Sequence, residues 1–289
     1  MSHMSSAPMI AVLIRYILFA GLTYLVFYVW KKNKYHYSKI QWRYPENKHI
    51  YREMLYSVST IIIFGVILST CFWTDAHGYS LSYKKVSDYG WPYFVFSLVI
   101  MVILHDAYFY WMHRFLHWKP MFKRVHKVHH LSVNPSPWAA FSFHPVEGVI
   151  NGGIFPLIAF TIPHTMLAII IFGSYSTLLN VMGHLGFELM PKYFARHWLF
   201  KWHSSATHHN MHHSQVKYNF GLYFNIWDRL LNTNHSDYVE RFEKVTTIRD
   251  EAHTAEKTQA ASIRKGKIKE LVVAEPASLP QVEKHSVSA

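Results

Sequence analysis

The chain has a single cysteine, Cys71, set inside an apolar run, which excludes a disulfide framework and a thiolate metal site. Charge is also scarce: charged residues make up 16% of 289 positions, against about 25% in ordinary soluble domains. The shortage is mostly of acids, with 17 Asp and Glu against 29 Lys and Arg and a formal net charge of +12. Such an excess suits anionic lipid headgroups or an acidic protein partner. Nucleic acid is excluded, because the basic residues gather in loops beside apolar segments. The apolar stretch 8–30 lacks the basic start and small-residue cleavage site of a secretory leader, so it reads as a retained span.

What is present is apolar and aromatic. Hydrophobic residues reach 51% and aromatics 17%, including 10 Trp and 19 Tyr, rings that settle at membrane interfaces. Met54 to Thr74 is 21 residues without a charge, enough to cross a bilayer as one helix. Pro8 to Trp30 is a second span, with Arg15 expected to snorkel to the headgroups. A third helix begins near Trp91, and its pattern runs to about Trp118, roughly 40 Å at 1.5 Å per residue; its end should therefore project into water. Val149 to Gly183 carries no charge over 35 positions, and Pro163-His164 divides it into a helical hairpin. Its first arm is short for a full span.

The expected fold is all-α, a multi-spanning membrane helical bundle with a cytosolic histidine-rich helical cap. One membrane-embedded catalytic domain covers 1–238, with spans near 8–30, 54–74 and 91–112 and the hairpin at 149–183. The histidine boxes fall within 105–233. Residues 239–289 form a charged, partly disordered tail. Between the first two spans lie Lys31, Lys32, Lys34, Lys39, Arg43, Lys48 and Arg52, which the positive-inside rule places in the cytosol. Following the chain across the membrane then brings every histidine cluster to that same side.

There are 22 histidines, heavily clustered. His113 and His117 are spaced i, i+4, on one helix face. His126, His129 and His130 repeat the pattern i, i+3, i+4, and so do His209, His212 and His213, so that three ring nitrogens can converge in each. His184 stands alone at the end of the hairpin. These nine imidazoles from four segments are too many for one tetrahedral zinc and natural for two ions. Asp106, two turns before His113, is a candidate partner for a ligand histidine or, more blandly, for a backbone amide or Arg114. Glu188, four residues after His184, is a tentative further ligand or a solvated acid, and His208 a residue behind the ligands. His105, His144, His164, His197 and His203 read as interface, capping or hydrogen-bonding residues.

These residues resemble the fatty acid hydroxylase and sterol desaturase superfamily of membrane histidine-box enzymes. The resemblance rests on Asp106 to Arg114 with His117, on His126 to His130, on Phe143-His144-Pro145-Val146-Glu147, and on Thr207 to His213. Tyr218-Asn-Phe-Gly and Trp227-Asp228-Arg229-Leu230 are most similar to sterol C5-desaturases and their bacterial relatives. The resemblance implies two iron ions and O2-dependent attack on an unactivated C–H bond of a sterol-like or fatty-acyl lipid. No covalently bound cofactor is implied. Electrons would come from a separate protein, cytochrome b5-like or a ferredoxin with its reductase. Some acyl hydroxylases of the family carry a histidine where this chain has Glu188, which argues against acyl 2-hydroxylation.

Two other classes are open on the sequence: a zinc-dependent membrane lipid hydrolase, and a non-enzymatic metal transporter, which would place its ligands near the bilayer midplane. The C-terminus shows no obvious endoplasmic-reticulum retrieval signal, so a bacterial inner membrane is preferred to that organelle.

Overall fold

The computed structural model describes residues 6–273, with side chains to residue 264. Helices dominate, and no strand longer than an isolated bridge occurs among the described residues. Among the described residues, four helices are long and apolar enough to cross a membrane: α1 Ala7–Trp30, α2 Asn47–Ala76, α3 Gly90–Leu116 and, later in the chain, Met166–Gly183. Local chemistry sets their ends. Pro8 sits in the first turn of α1, where its missing N–H costs nothing. α3 opens at Gly90, whose φ of +80° lets the chain turn sharply into the helix.

Beyond α3, residues 119–130 form a short irregular helix, α4, that carries the second histidine box. The expected hairpin is present, with an uneven first arm. Pro145–Gly152 (α5) and Ile154–Thr161 (α6) form that arm, and Met166–Gly183 (α7) is the second. Thr165 caps α7 by accepting from the Ala168 N–H at 3.1 Å. The third box lies on α8, Ala206–Gln215, which ends where Val216 turns left-handed at φ 58°. Ile226–Leu230 (α9) and the long helix Tyr238–Val273 (α10) follow.

The chain divides into a unit running to Thr247 and a second one from Ile248. In the first, the opening of α10 packs Tyr238 and Phe242 onto Ala195 and Met211. In the second, the side chains of 255–264 are exposed. Of the expected tail, residues 274–289 lie outside the described residues.

The main core lies between the span helices: Tyr16 stacks on Phe141 at 4.9 Å, and Phe64 meets Phe141 and Phe155 edge-on. The outer faces keep large apolar side chains exposed, among them Ile14, Leu18, Leu55, Ile62, Phe96 and Ile103. A soluble monomer rarely shows such a surface, and hydrocarbon solvates it without cost. The chain is a membrane protein.

Two backbone links mark opposite ends of the bundle. The loop between α1 and α2 pairs with the loop after α7: the Ile40 N–H donates to Gly186 O at 3.1 Å and the Glu188 N–H to Ser38 O at 2.8 Å. At the other end, the loop between α2 and α3 pairs with the hairpin turn, the Tyr83 N–H donating to His164 O at 2.9 Å. The C-terminal ends of α3 and α7 both lie at the first of these ends, and so do the histidine boxes.

Candidate metal centre

α3 delivers His113 and, just past its end, His117; α4 delivers His126, His129 and His130; His184 closes α7; and α8 brings His209, His212 and His213. All nine rings predicted from spacing come together. They form two adjacent groups, His113, His117, His126, His130 and His212 in one and His129, His184, His209 and His213 in the other, the ligand atoms of each lying within 4.8 Å of one another. The partition differs from the simple reading of each HxxHH triple as one converging set. The i and i+4 rings of each triple join one group and the i+3 ring crosses to the other, because the rings of one short helix fan around its axis. The groups touch: the rings of His130 and His213 are 5.1 Å apart.

The hydrogen bonds behind these rings test whether cations fit. The Nδ1 of His113 donates to Phe220 O at 2.9 Å, that of His129 to Ser142 O at 3.2 Å, that of His184 to Asn180 O at 2.8 Å and that of His212 to Tyr218 O at 2.6 Å. His126 Nδ1 meets Glu147 Oε1 at 2.8 Å. This geometry assigns the proton of each neutral ring to Nδ1 and leaves Nε2 as a lone pair. Yet the Nε2 atoms face one another, at 3.3 Å between His129 and His184 and 3.1 Å between His113 and His126. Two lone pairs at that distance repel unless a cation lies between them. The donor set therefore fits metal ions, and imidazole nitrogen suits iron, zinc or copper.

Burial keeps the rings neutral. His129, His130, His209, His212 and His213 are held well below the usual histidine range, first by desolvation and then by neighbouring imidazoles. His184 is pushed down to about 4 by burial.

The three tentative residues lie outside both groups. Asp106 touches no ligand ring; its Oδ1 accepts the Tyr223 and Phe224 N–H groups at 3.0 and 3.1 Å, the blander of its two expected roles. It thereby braces the loop whose Phe220 carbonyl holds His113. Asp228 braces the same loop through the Phe220 and Gly221 N–H groups. Glu188 is buried, accepting from Met190 N–H with one oxygen and from Thr207 N–H, at the start of α8, with the other. His208 is buried against Tyr238, 3.8 Å from Asp228. His144 caps α5, accepting from Val146 N–H at 3.2 Å.

Sequence reasoning missed the role of Glu147. This carboxylate is 1% exposed and lies 21 positions from His126 in the chain, yet among the described residues it is the one acid that touches a ring of either group. A charged residue at the mouth of an apolar run was the available signal.

Four apolar spans carrying a paired, buried histidine centre at one end define a membrane protein able to hold metal ions. Residues 98–233 match the family model described as fatty acid hydroxylase. Among curated proteins the chain is similar to Delta(7)-sterol 5(6)-desaturases of Aspergillus fumigatus (29% identical; 72% of this chain, 68% of the relative) and Schizosaccharomyces pombe (29%; 79% and 71%). It is also similar to the lathosterol oxidase of Rattus norvegicus (30%; 62% and 59%). The chain spans 59% to 71% of the length of these three relatives. No solved structure matches it. The part of the chain that carries the histidine boxes is thus similar to the fatty acid hydroxylase family. These relatives come from fungi and a mammal, and they give no support to the expected preference for a bacterial inner membrane.

Proposed function

We propose that this protein is an integral-membrane oxidoreductase that uses two iron ions, O2 and an external electron donor to desaturate or hydroxylate a sterol-like lipid. The observation that carries this reading is the pair of all-imidazole groups, whose inward-facing lone pairs call for two cations at one end of the apolar spans. The names of the relatives, sterol desaturase and lathosterol oxidase, supply the reaction class.

The five-ring group and the four-ring group would each hold one ion, and the pair would supply the oxygen activation and electron transfer that removing hydrogen from an unactivated carbon requires. The protein's own part is positioning. Backbone carbonyls on four Nδ1 atoms fix ring rotation and tautomer, so the ligand nitrogens are aimed before any ion arrives. Glu147 does the same for His126 and places a carboxylate beside an otherwise neutral ligand shell. Phe109 and Phe143 stand against His113 and His129, at 5.0 and 5.1 Å between ring centroids, and keep water from the lipid side of the centre. The histidine end faces the cytosol on the strength of the Lys and Arg residues between α1 and α2, where a soluble electron donor can reach it.

Metal analysis of the purified protein, with turnover of a Δ7-sterol in air and under nitrogen, tests the proposal. About two irons per chain and product that needs both O2 and a reductant are expected. Zinc in place of iron, with hydrolysis that proceeds without O2, overturns it.

A further inference from the structure

The two faces of α4 differ sharply in chemistry. Inward point Val125, His126, His129 and His130, all buried. Outward stand Lys119, Lys123, Arg124 and Lys127, all exposed. The lysines recur every four residues, the spacing that gathers side chains along one stripe of a helix. None of the four cations forms an ion pair among the described residues.

This charge has no local counterweight. From residue 107 to residue 146, 40 positions, the chain carries Arg114, Lys119, Lys123, Arg124 and Lys127 and no Asp or Glu. Cations elsewhere on the surface do have partners: Lys48 meets Glu46 at 2.6 Å, and Arg196 pairs with Glu243. Like charges at this spacing repel one another. The rings beneath them are arranged to hold cations, which makes the stripe costlier still. Nothing on the inner face of α4 requires it.

The same helix covers the ligand ring nearest to water. His117 is the one of the nine ligand histidines that is not fully buried. Phe122, itself half-buried, packs on His117 and His130, at 5.3 and 5.5 Å between ring centroids. A route of one aromatic ring thus joins the surface beside Lys123 to two ligands of the five-ring group. The stripe itself lies one helix width, about 10 Å, from the rings on the inner face.

We propose that the stripe of Lys119, Lys123 and Lys127 is the docking surface for the electron carrier, a small soluble protein with an acidic face. The inference rests on the oxidase reading and adds the partner's chemistry and the point of electron entry. Desaturating a lipid with one O2 takes two further electrons and two protons and releases two waters; hydroxylation takes the same and releases one. A one-electron carrier must therefore dock and leave twice per product. Exposed charges suit such exchange, because they speed encounter without the slow release of a large apolar contact. Electron tunnelling falls steeply with distance, which favours docking on the face backed directly by ligands. Anionic lipid headgroups would accept the same charges but have no use for Phe122 and a half-buried His117 behind them.

The test is equilibrium binding of two acidic carriers, a soluble cytochrome b5 domain and a plant-type ferredoxin, to the full chain in phosphatidylcholine nanodiscs. Basic cytochrome c is the control. Wild-type protein should bind one acidic carrier at least tenfold more tightly than cytochrome c, and raising salt from about 20 to about 200 mM should weaken that binding at least tenfold. Lys123→Glu with Lys127→Glu should weaken it at least tenfold. Lys32→Glu with Lys34→Glu, the same change of charge on the loop between α1 and α2, should alter it less than twofold. The proposal is overturned if wild-type protein prefers neither acidic carrier, if the α4 double variant binds as wild type does, or if the two double variants weaken binding equally. It also falls if the α4 variant keeps the carrier and instead loses phosphatidylserine that co-purifies with wild type, which assigns the stripe to headgroups. Should that variant fail to fold, Lys123→Gln with Lys127→Gln replaces it, and unchanged affinity again overturns the proposal. Affinity is read without turnover, so a chain that binds through α4 but holds no iron sinks the oxidase reading and leaves the surface standing. An O2-dependent enzyme whose carrier ignores α4 sinks the surface alone.

Discussion

The two histidine groups are built from the same helices and differ in number and backing. The larger has five rings and the support of a buried carboxylate, Glu147 on His126. The smaller has four rings, and His129 and His184 lean only on the carbonyls of Ser142 and Asn180. A cation in the larger group would sit beside negative charge in a low dielectric; one in the smaller would meet neutral dipoles alone. The smaller group has less redundancy, and the larger would tune a bound ion by charge.

That contrast can be broken experimentally. The largest effect is expected from His129→Ala, which removes one of four rings: iron content should fall toward one per chain, with activity down by more than about 100-fold, since even residues behind metal ligands cost about 10–100-fold. His117→Ala removes one of five and should cost less. Equal losses, measured as iron per chain and turnover, would dissolve the distinction. Glu147→Gln keeps the shape and removes the charge. It should weaken the ion of the larger group about 10–100-fold in a chelator competition, with a smaller loss at the other group.

The apoprotein should respond to acid through both groups alike. The folded-state values of these rings lie below the unfolded histidine value of about 6.5, that of His184 at about 4. Unfolded chains therefore take up protons first, and stability present above pH ~6.5 is lost as pH falls from there toward ~4. Thermal melts of chelated protein across that window should show a declining Tm; a flat profile would mean the rings are not desolvated. The smallest effect is expected from Ser205→Ala, which deletes the side chain that accepts from His208 N–H at the start of α8. The cost should be about 1 kcal/mol of stability, with the ratio of the two bound ions unaltered, because α8 serves both groups.

Much of this was legible in the sequence, for physical reasons. Long uncharged runs can only be buried or lipid-facing, so the spans near 8–30, 54–74 and 91–112 appear as helices at or around those positions. Spacing of i, i+4 places two rings on one side of a helix, and all nine candidate histidines met. The partition of the triples was not legible, because spacing within one helix does not say which neighbours surround it. Asp106 and Glu188 illustrate the same limit. An acid near a ligand in sequence bonded to backbone, whereas Glu147, far from His126 in the chain, bonded to the ring. Carbonyl partners such as Phe220 O leave no mark on side-chain pattern at all. Arg15 was read from its distance to a helix end, and packing against Gly173 decided its direction instead.

Each of the two short box helices lends rings to both groups, and this interleaving has a consequence for assembly. An ion captured by His209 and His213 stops α8 from rotating and so holds His212 where its neighbour needs it; His129 and the pair His126 and His130 are linked in the same way. Loading one position therefore lowers the entropy still to be lost at the other, and half-filled protein should be scarce at intermediate metal supply, with filled and empty chains coexisting.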